Sequence, residues 1–255
     1  MAIAKSTRTP QLLLATAVAL AACGGGGGGG SPAPAPPATT AEGLYAGTTG
    51  NGRAFTGLVL DDGTYYVLYS PVGNSAAVAG VVQGTGTSTA TAFTSSNTRD
   101  FNLEGLGVLP ATLSATYSAK QSLAGTVSYS AGASVTLSGT YDAAYELTPS
   151  LAALAGTFTG QVASSAGVEN ATVTVASNGT LSGTGASGCT VSGTAAPRAR
   201  GNVFNISLTF GGAPCLFANQ TLSGIAYFNA TAKRLYAATP NAARTDGVLF
   251  VGVKP

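Results

Sequence analysis

No stretch of a dozen residues in this chain places apolar side chains at the i, i+3, i+4, i+7 spacing of an amphipathic helix. The hydrophobic pattern has period two instead. Ala54 to Leu60 leads through Asp61-Asp62-Gly63 into Thr64 to Tyr69, which is a strand, an Asp-Gly turn and a strand. Ala171 to Val175 leads through Asn178-Gly179 into Thr180 to Gly183, a second hairpin of the same kind. Further alternating runs cover Ser122–Tyr129, Val135–Tyr141, Val203–Phe210 and Val248–Val253. The best helical candidate is a single turn, Ser150–Leu154, after Pro149. Many short strands at this spacing build a sandwich or a barrel, so the fold class is all-β.

Five short matches recur in the same order. Gly43-Leu44-Tyr45-Ala46-Gly47 answers to Gly156-Thr157-Phe158-Thr159-Gly160, Asp62-Gly63-Thr64 to Asn178-Gly179-Thr180, and Val82-Gln83-Gly84-Thr85 to Val191-Ser192-Gly193-Thr194. Phe101-Asn102-Leu103 and Leu123-Ala124-Gly125 answer to Phe204-Asn205-Ile206 and Leu222-Ser223-Gly224. Drift between offsets is absorbed by loop-length changes. The expected organisation is a segment 1–22, a disordered Gly/Pro-rich tether 23–41, and two β-barrel-like domains, 42–148 and 149–255. Each domain is a small antiparallel meander barrel of about eight strands, in tandem. Glycines inside strands supply the bends that closing a small barrel needs. A membrane-spanning barrel would need longer strands with aromatic girdles, and only 7% of the residues are aromatic.

The first residues fit an export signal. Lys5 and Arg8 precede the apolar run Leu12–Ala22, which is too short to span a bilayer. The run ends Leu20-Ala21-Ala22-Cys23, which resembles the lipobox of bacterial lipoproteins. That resemblance implies cleavage before Cys23, acylation of Cys23 with palmitate-type chains, and, with Gly24 next rather than Asp, a lipid-anchored place at the cell outer membrane. Two or more chains on one Cys give stable anchoring. A glycine run, Gly24–Gly30, and the Pro-rich stretch to Thr40 form the tether. The plan of acylated Cys, tether and Gly-rich barrels is similar in architecture to surface lipoproteins of the transferrin-binding protein B type. This chain has no counterpart of their large charged domains, so iron or transferrin function is not carried over.

Chemistry is sparse. The chain has no His, which excludes imidazole-based catalysis and imidazole metal sites. Charged residues are 8%. Without Lys5 and Arg8, basic and acidic side chains balance at 9 each, so nucleic acid is excluded as a partner. Gly183-Thr184-Gly185-Ala186-Ser187-Gly188 fits G-x-G-x-x-G, but strand sequence follows where a dinucleotide site needs a helix. Asp61-Asp62 fits a turn better than an acid–base pair or a Ca²⁺ ligand. The basic clusters Arg198-Ala199-Arg200 and Lys233-Arg234 fit solvated turns. No catalytic residue, cofactor or metal site is nominated.

Cys189 and Cys215 form an even pair in an exported chain, so a structural disulfide is expected, worth roughly 3 kcal/mol. Tyr65, Tyr66 and Tyr69 alternate along one strand, Tyr65 and Tyr69 on one face and Tyr66 on the other. They are candidates for an aromatic partner-binding patch. The expectation is a non-enzymatic, membrane-anchored protein that binds an unidentified protein or small molecule or supports the envelope. The alternatives are a carrier of a small apolar ligand inside a lipocalin-like barrel and a carboxylate-based envelope hydrolase. A dry interior packed by side chains would remove the carrier, and two carboxylates facing one cleft at a fixed short separation would favour the hydrolase.

Overall fold

A computed structural model describes residues 40–255. The export signal, Cys23 and the tether up to Thr39 lie outside the described residues. Strands β1 (Gly43–Thr49), β2 (Ala54–Val59), β3 (Thr64–Tyr69) and β4 (Gly80–Thr85) form an antiparallel meander. A short β5 (Thr87–Thr89) follows, then β6 (Ala92–Asn102), β7 (Gly107–Ser118), β8 (Ser122–Tyr129) and β9 (Ser134–Tyr141). Pairing of β4 with β6 and of β1 with β9 closes eight of these strands into a barrel. The ninth strand, β5, pairs only with the start of β6. A bulge in β6 between Ser95 and Thr98 lets that strand serve both partners.

The second barrel is a plain meander. It runs β10 (Gly156–Ser164), β11 (Gly167–Val175), β12 (Thr180–Gly185), β13 (Thr190–Pro197), β14 (Phe204–Phe210), β15 (Thr221–Asn229), β16 (Arg234–Pro240) and β17 (Gly247–Val253). Pairing of β17 with β10 closes it. The expected helical turn is present as α1 (Leu151–Leu154), capped by the Ser150 hydroxyl accepting from the Ala153 amide. It drops Leu154 into the lower end of the barrel, and Lys254 donates to the Ala153 and Ala155 carbonyls beside it. Residues preceding β1 have a parallel role. Ala41, placed in the tether by sequence, is wholly buried, its amide bonded to Ser88 and its carbonyl to the Tyr45 hydroxyl.

Three of the five sequence matches occupy equivalent places. Gly47 faces Gly139 across the closing seam of the first barrel, and Gly160 faces Gly252 across that of the second. At Gly47 a Cβ would strike the Ser138 carbonyl, and at Gly160 the Val251 carbonyl, so both seams admit only glycine. The Asp-Gly and Asn-Gly turns both join the second strand to the third. Gly63 and Gly179 have φ of 79° and 87°, and the Thr64 and Thr180 amides donate to the preceding Asp62 and Asn178 oxygens at 2.9 and 3.0 Å. Val82–Thr85 and Val191–Thr194 lie on the fourth strand of each barrel. The last two matches do not correspond. Phe101 ends the fifth barrel strand while Phe204 begins it, and Leu123 lies on the seventh strand while Leu222 lies on the sixth.

The barrels share an apolar core between their walls. Leu58, Tyr66, Leu68, Val81 and Phe101 of the first pack against Ile225, Tyr227, Ala238 and Leu249 of the second. Polar groups fringe it. Arg198 pairs with Asp61 at 2.6 Å and Asp62 at 3.4 Å, and Arg200 with Glu42 at 2.6 Å. Sequence placed Arg198 and Arg200 in solvated turns, but the partners come from the other barrel, which no local pattern signals. Arg244 donates to the Gln83 side chain and carbonyl at 2.7 and 2.8 Å. Away from this seam the walls are hydrophilic: Thr112, Ser114, Thr116 and Ser118 line the outer face of β7.

Candidate functional sites in the two barrels

Every residue from Tyr65 to Tyr69 on β3 is buried, because the lumen covers one face of the strand and the second barrel covers the other. The alternation expected for the tyrosines holds: Tyr65 and Tyr69 face the lumen, and Tyr66 faces the seam. None of the three offers a ring at the surface in this arrangement. Burial pushes the Tyr66 hydroxyl up to about 12. Tyr65 hydrogen-bonds Thr98 at 2.6 Å, and its ring meets Phe93 edge-on at 5.5 Å. Together with Tyr45, Phe55 and Tyr117, these rings fill the lower lumen of the first barrel.

Above them, a cavity of about 330 Å³ opens at the other end of the first barrel. Its walls include Val67, Val82, Leu109, Val127 and Leu137, and Asp100 lies in its lining at only 3% exposure. Tyr69 and Tyr129 donate to the two oxygens of Asp100 at 2.8 and 2.7 Å. Burial raises the Asp100 carboxyl above the ordinary carboxylate range, against the two tyrosine hydrogen bonds and Arg53, which lower it. Arg53 stacks over the Tyr69 ring at 5.5 Å and pairs with Glu104 at 2.8 Å. Two carboxylates, Asp100 and Glu104, therefore line one cavity. Both are already engaged: Asp100 by two hydroxyls, Glu104 by a guanidinium. Sequence gave no access to this group, because the bulge in β6 shifts which residues face inward.

The second barrel differs. A cavity of about 380 Å³ extends from Leu154, Val175 and Leu181 at its floor to Ser187, Pro214 and Leu216 at its mouth. Its walls are Val162, Ala171, Val173, Val191, Ile206, Leu208, Ala226, Ala237 and Phe250 among others. The expected disulfide is present: Cys189 and Cys215, 26 residues apart, have Cα atoms 4.7 Å apart. It ties the turn after β12 to the loop after β14 beside the mouth, where Phe210 and Phe217 pack on it. The G-x-G-x-x-G segment is the end of β12 and its turn, not a helix entry. A third cavity, between the barrels, is about 40 Å³, room for a water or two. Among the described residues no group of three or more His, Cys, Asp or Glu gathers as metal ligands. No helix among them is long and apolar enough to cross a membrane.

No protein-family model matches this chain, and no curated protein sequence matches it significantly. Solved structures are similar to it. The isotype 1 transferrin binding protein B of serogroup B Neisseria meningitidis aligns at 10% identity over 80% of this chain and 66% of that one, with a TM-score of 0.32. A mutant transferrin binding protein B of Haemophilus parasuis Hp5 aligns at 10% identity over 80% and 66%, with a TM-score of 0.27. A Bacteroides fragilis protein described as an outer membrane protein aligns at 16% identity over 84% and 96%, with a TM-score of 0.27. The chain spans just under two thirds of the length of the two transferrin-binding chains.

Proposed function

We propose that this chain is a lipid-anchored lipoprotein of the outer membrane with a non-enzymatic binding role, and that its second barrel carries a small apolar ligand. One observation supports the carrier reading above the others: the second barrel has an open lumen of about 380 Å³ with an aliphatic and aromatic lining. That volume is within the range of small-molecule pockets, which are mostly apolar with a few polar groups. The first barrel's cavity, about 330 Å³, is confined to one end by the rings below it and has Arg53, Asp100 and Glu104 in its lining. The binding role is non-enzymatic on this reading because the chain has no His and the carboxylates of the first cavity are bonded internally.

The test uses a neutral fluorescent probe, N-phenyl-1-naphthylamine, against the folded protein, which has no Trp to interfere. Saturable enhancement is expected. Ala171→Phe, which projects a ring into the lumen, should abolish it, and Val67→Phe in the first barrel should not. Binding that is absent, or indifferent to Ala171→Phe, sinks the carrier. The anchor is tested separately: palmitate labelling in the native envelope should require Cys23, and Cys23→Ser should release the protein to the soluble fraction. Retention of the variant at the membrane would overturn the anchor.

A further inference from the structure

Resting on the carrier reading, the position of one side chain narrows the ligand. Alternate residues of β11 turn inward, and that row reads Glu169, Ala171, Val173, Val175. Glu169 is the one charged residue in the cavity's lining among the described residues; no Lys or Arg contributes to it. Its carboxylate stays at the mouth, where the Ser187 amide and hydroxyl donate to it at 2.6 and 3.0 Å. A Cβ on Gly185 would collide with that carboxylate, so glycine there leaves it room. Ser164 and Thr184 stand nearby in the lining. Lys254, the cation nearest the floor, sits over the Phe158 and Phe228 rings and bonds carbonyls, outside the lining.

We propose that the second barrel selects uncharged or cationic amphiphiles and discriminates against carboxylates, with Glu169 setting the preference at the mouth. An apolar body would fill the lumen, and its head group would come to rest by Glu169 and the neighbouring hydroxyls. An anionic head there meets a like charge with no counter-cation in the lining, which opposes binding. An ammonium or hydroxyl head meets an acceptor instead.

The experiment displaces N-phenyl-1-naphthylamine with dodecylamine, dodecanol and dodecanoate, all below their micellar concentrations, at pH 7. Dodecylamine and dodecanol should compete, with dodecanoate at least tenfold weaker than either. Glu169→Gln, which keeps the shape and an acceptor for Ser187, should shrink the gap between amine and carboxylate severalfold. Its thermal unfolding should match the parent. Dodecanoate binding as well as dodecylamine, or a gap unchanged by Glu169→Gln, overturns the proposal while leaving the carrier intact. Failure of the probe itself to bind defeats the carrier reading, and the selectivity with it.

Discussion

The two barrels share strand number, closing glycines and turns, yet the first packs one end of its lumen with rings and keeps a cavity only at the other, while the cavity of the second runs from floor to mouth. The difference lies in what stands opposite their strand glycines. In the first barrel rings occupy that space at several strand positions, Tyr65 against Gly84 and Phe55 against Gly57 and Gly139, while Gly47 and Gly125 meet the Ser138 and Ser114 carbonyls. In the second, Gly160, Gly193 and Gly224 meet neighbouring backbone carbonyls, and Gly183 meets valines. Only Gly252 there has a ring over it, that of Phe250. A glycine lets strands bend and approach closely in either case. Whether the space becomes core or cavity depends on whether an aromatic side chain from an adjacent strand reaches it. One scaffold can in this way yield a stabilising plug and a binding lumen without changing topology.

The sharpest way to break that contrast is to delete a ring. Phe93 is fully buried, and Phe93→Ala should cost about 3–5 kcal/mol. Leu208 in the second barrel faces the open cavity and is half-buried, so Leu208→Ala should cost about 1 kcal/mol. Urea unfolding of the two variants measures both. Equal losses would mean that the second lumen is packed in solution and the contrast is void.

Next in size is the disulfide. Reduction, or Cys189→Ser with Cys215→Ser, should remove roughly 3 kcal/mol. The loss should be local, because the bridge joins two loops of the second barrel only. Amide exchange should accelerate across β12 to β15 and stay unchanged across β1 to β4. Acceleration spread evenly over both barrels would show that the shared core couples them into one unfolding unit.

A smaller effect separates the cavities by pH. The Asp100 carboxyl is raised by burial, so the folded state holds its proton more tightly than the unfolded chain does. Its contribution to stability is fully present below the unfolded value, near pH ~3.9, and is lost as pH rises through the raised folded value. Asp100→Asn should therefore flatten the fall in melting temperature between pH 4 and pH 7. At pH 7 the variant should be at least as stable as the parent. A parent that gains stability relative to Asp100→Asn as pH rises would reverse the assigned direction.

Much of this architecture can be read in the chain, and the unreadable part has a physical reason. The period-two runs, the Asp-Gly and Asn-Gly turns, the Ser150 helical turn and the Cys189–Cys215 bridge are local signals or simple counting. Tyr65, Tyr66 and Tyr69 were legible in their alternation but not in their burial. A strand covered on both faces depends on a second barrel whose docking no window of sequence encodes. Thr64–Tyr69 is, however, a near-continuous apolar run, and such runs mark strands buried on both sides. Glu169 could have been found, since it heads the inward row of a hairpin whose other members are apolar. Asp100 could not, because an unbroken period from Phe93 and Ser95 would point it outward, and only the bulge at Ser95/Thr98 turns it inward. The plug and the cavity were equally hidden, as each depends on pairing across strands distant in sequence.

The smallest expected effect tests whether the barrels are true equivalents. The Asp62 and Asn178 turns share one device, a side-chain oxygen accepting from the amide two residues on. Replacement of either by Ala removes that bond, and the shared part of the loss should be about 1 kcal/mol. The turns differ in Arg198, which reaches Asp62 but not Asn178. Burial opposes ionisation of Asp62, yet the Thr64 amide and Arg198 hold its carboxyl below the ordinary value. That contribution is present above the unfolded value and lost as pH falls through the folded one, the opposite sense to Asp100. Asp62→Asn keeps the turn bond and discards the charge. It should cost about 0.5 kcal/mol or less, since exposed ion pairs contribute little, and the cost should vanish in high salt. A cost as large as that of Asp62→Ala would mean that the first turn is held by its link to the second barrel and not by the device the two turns share.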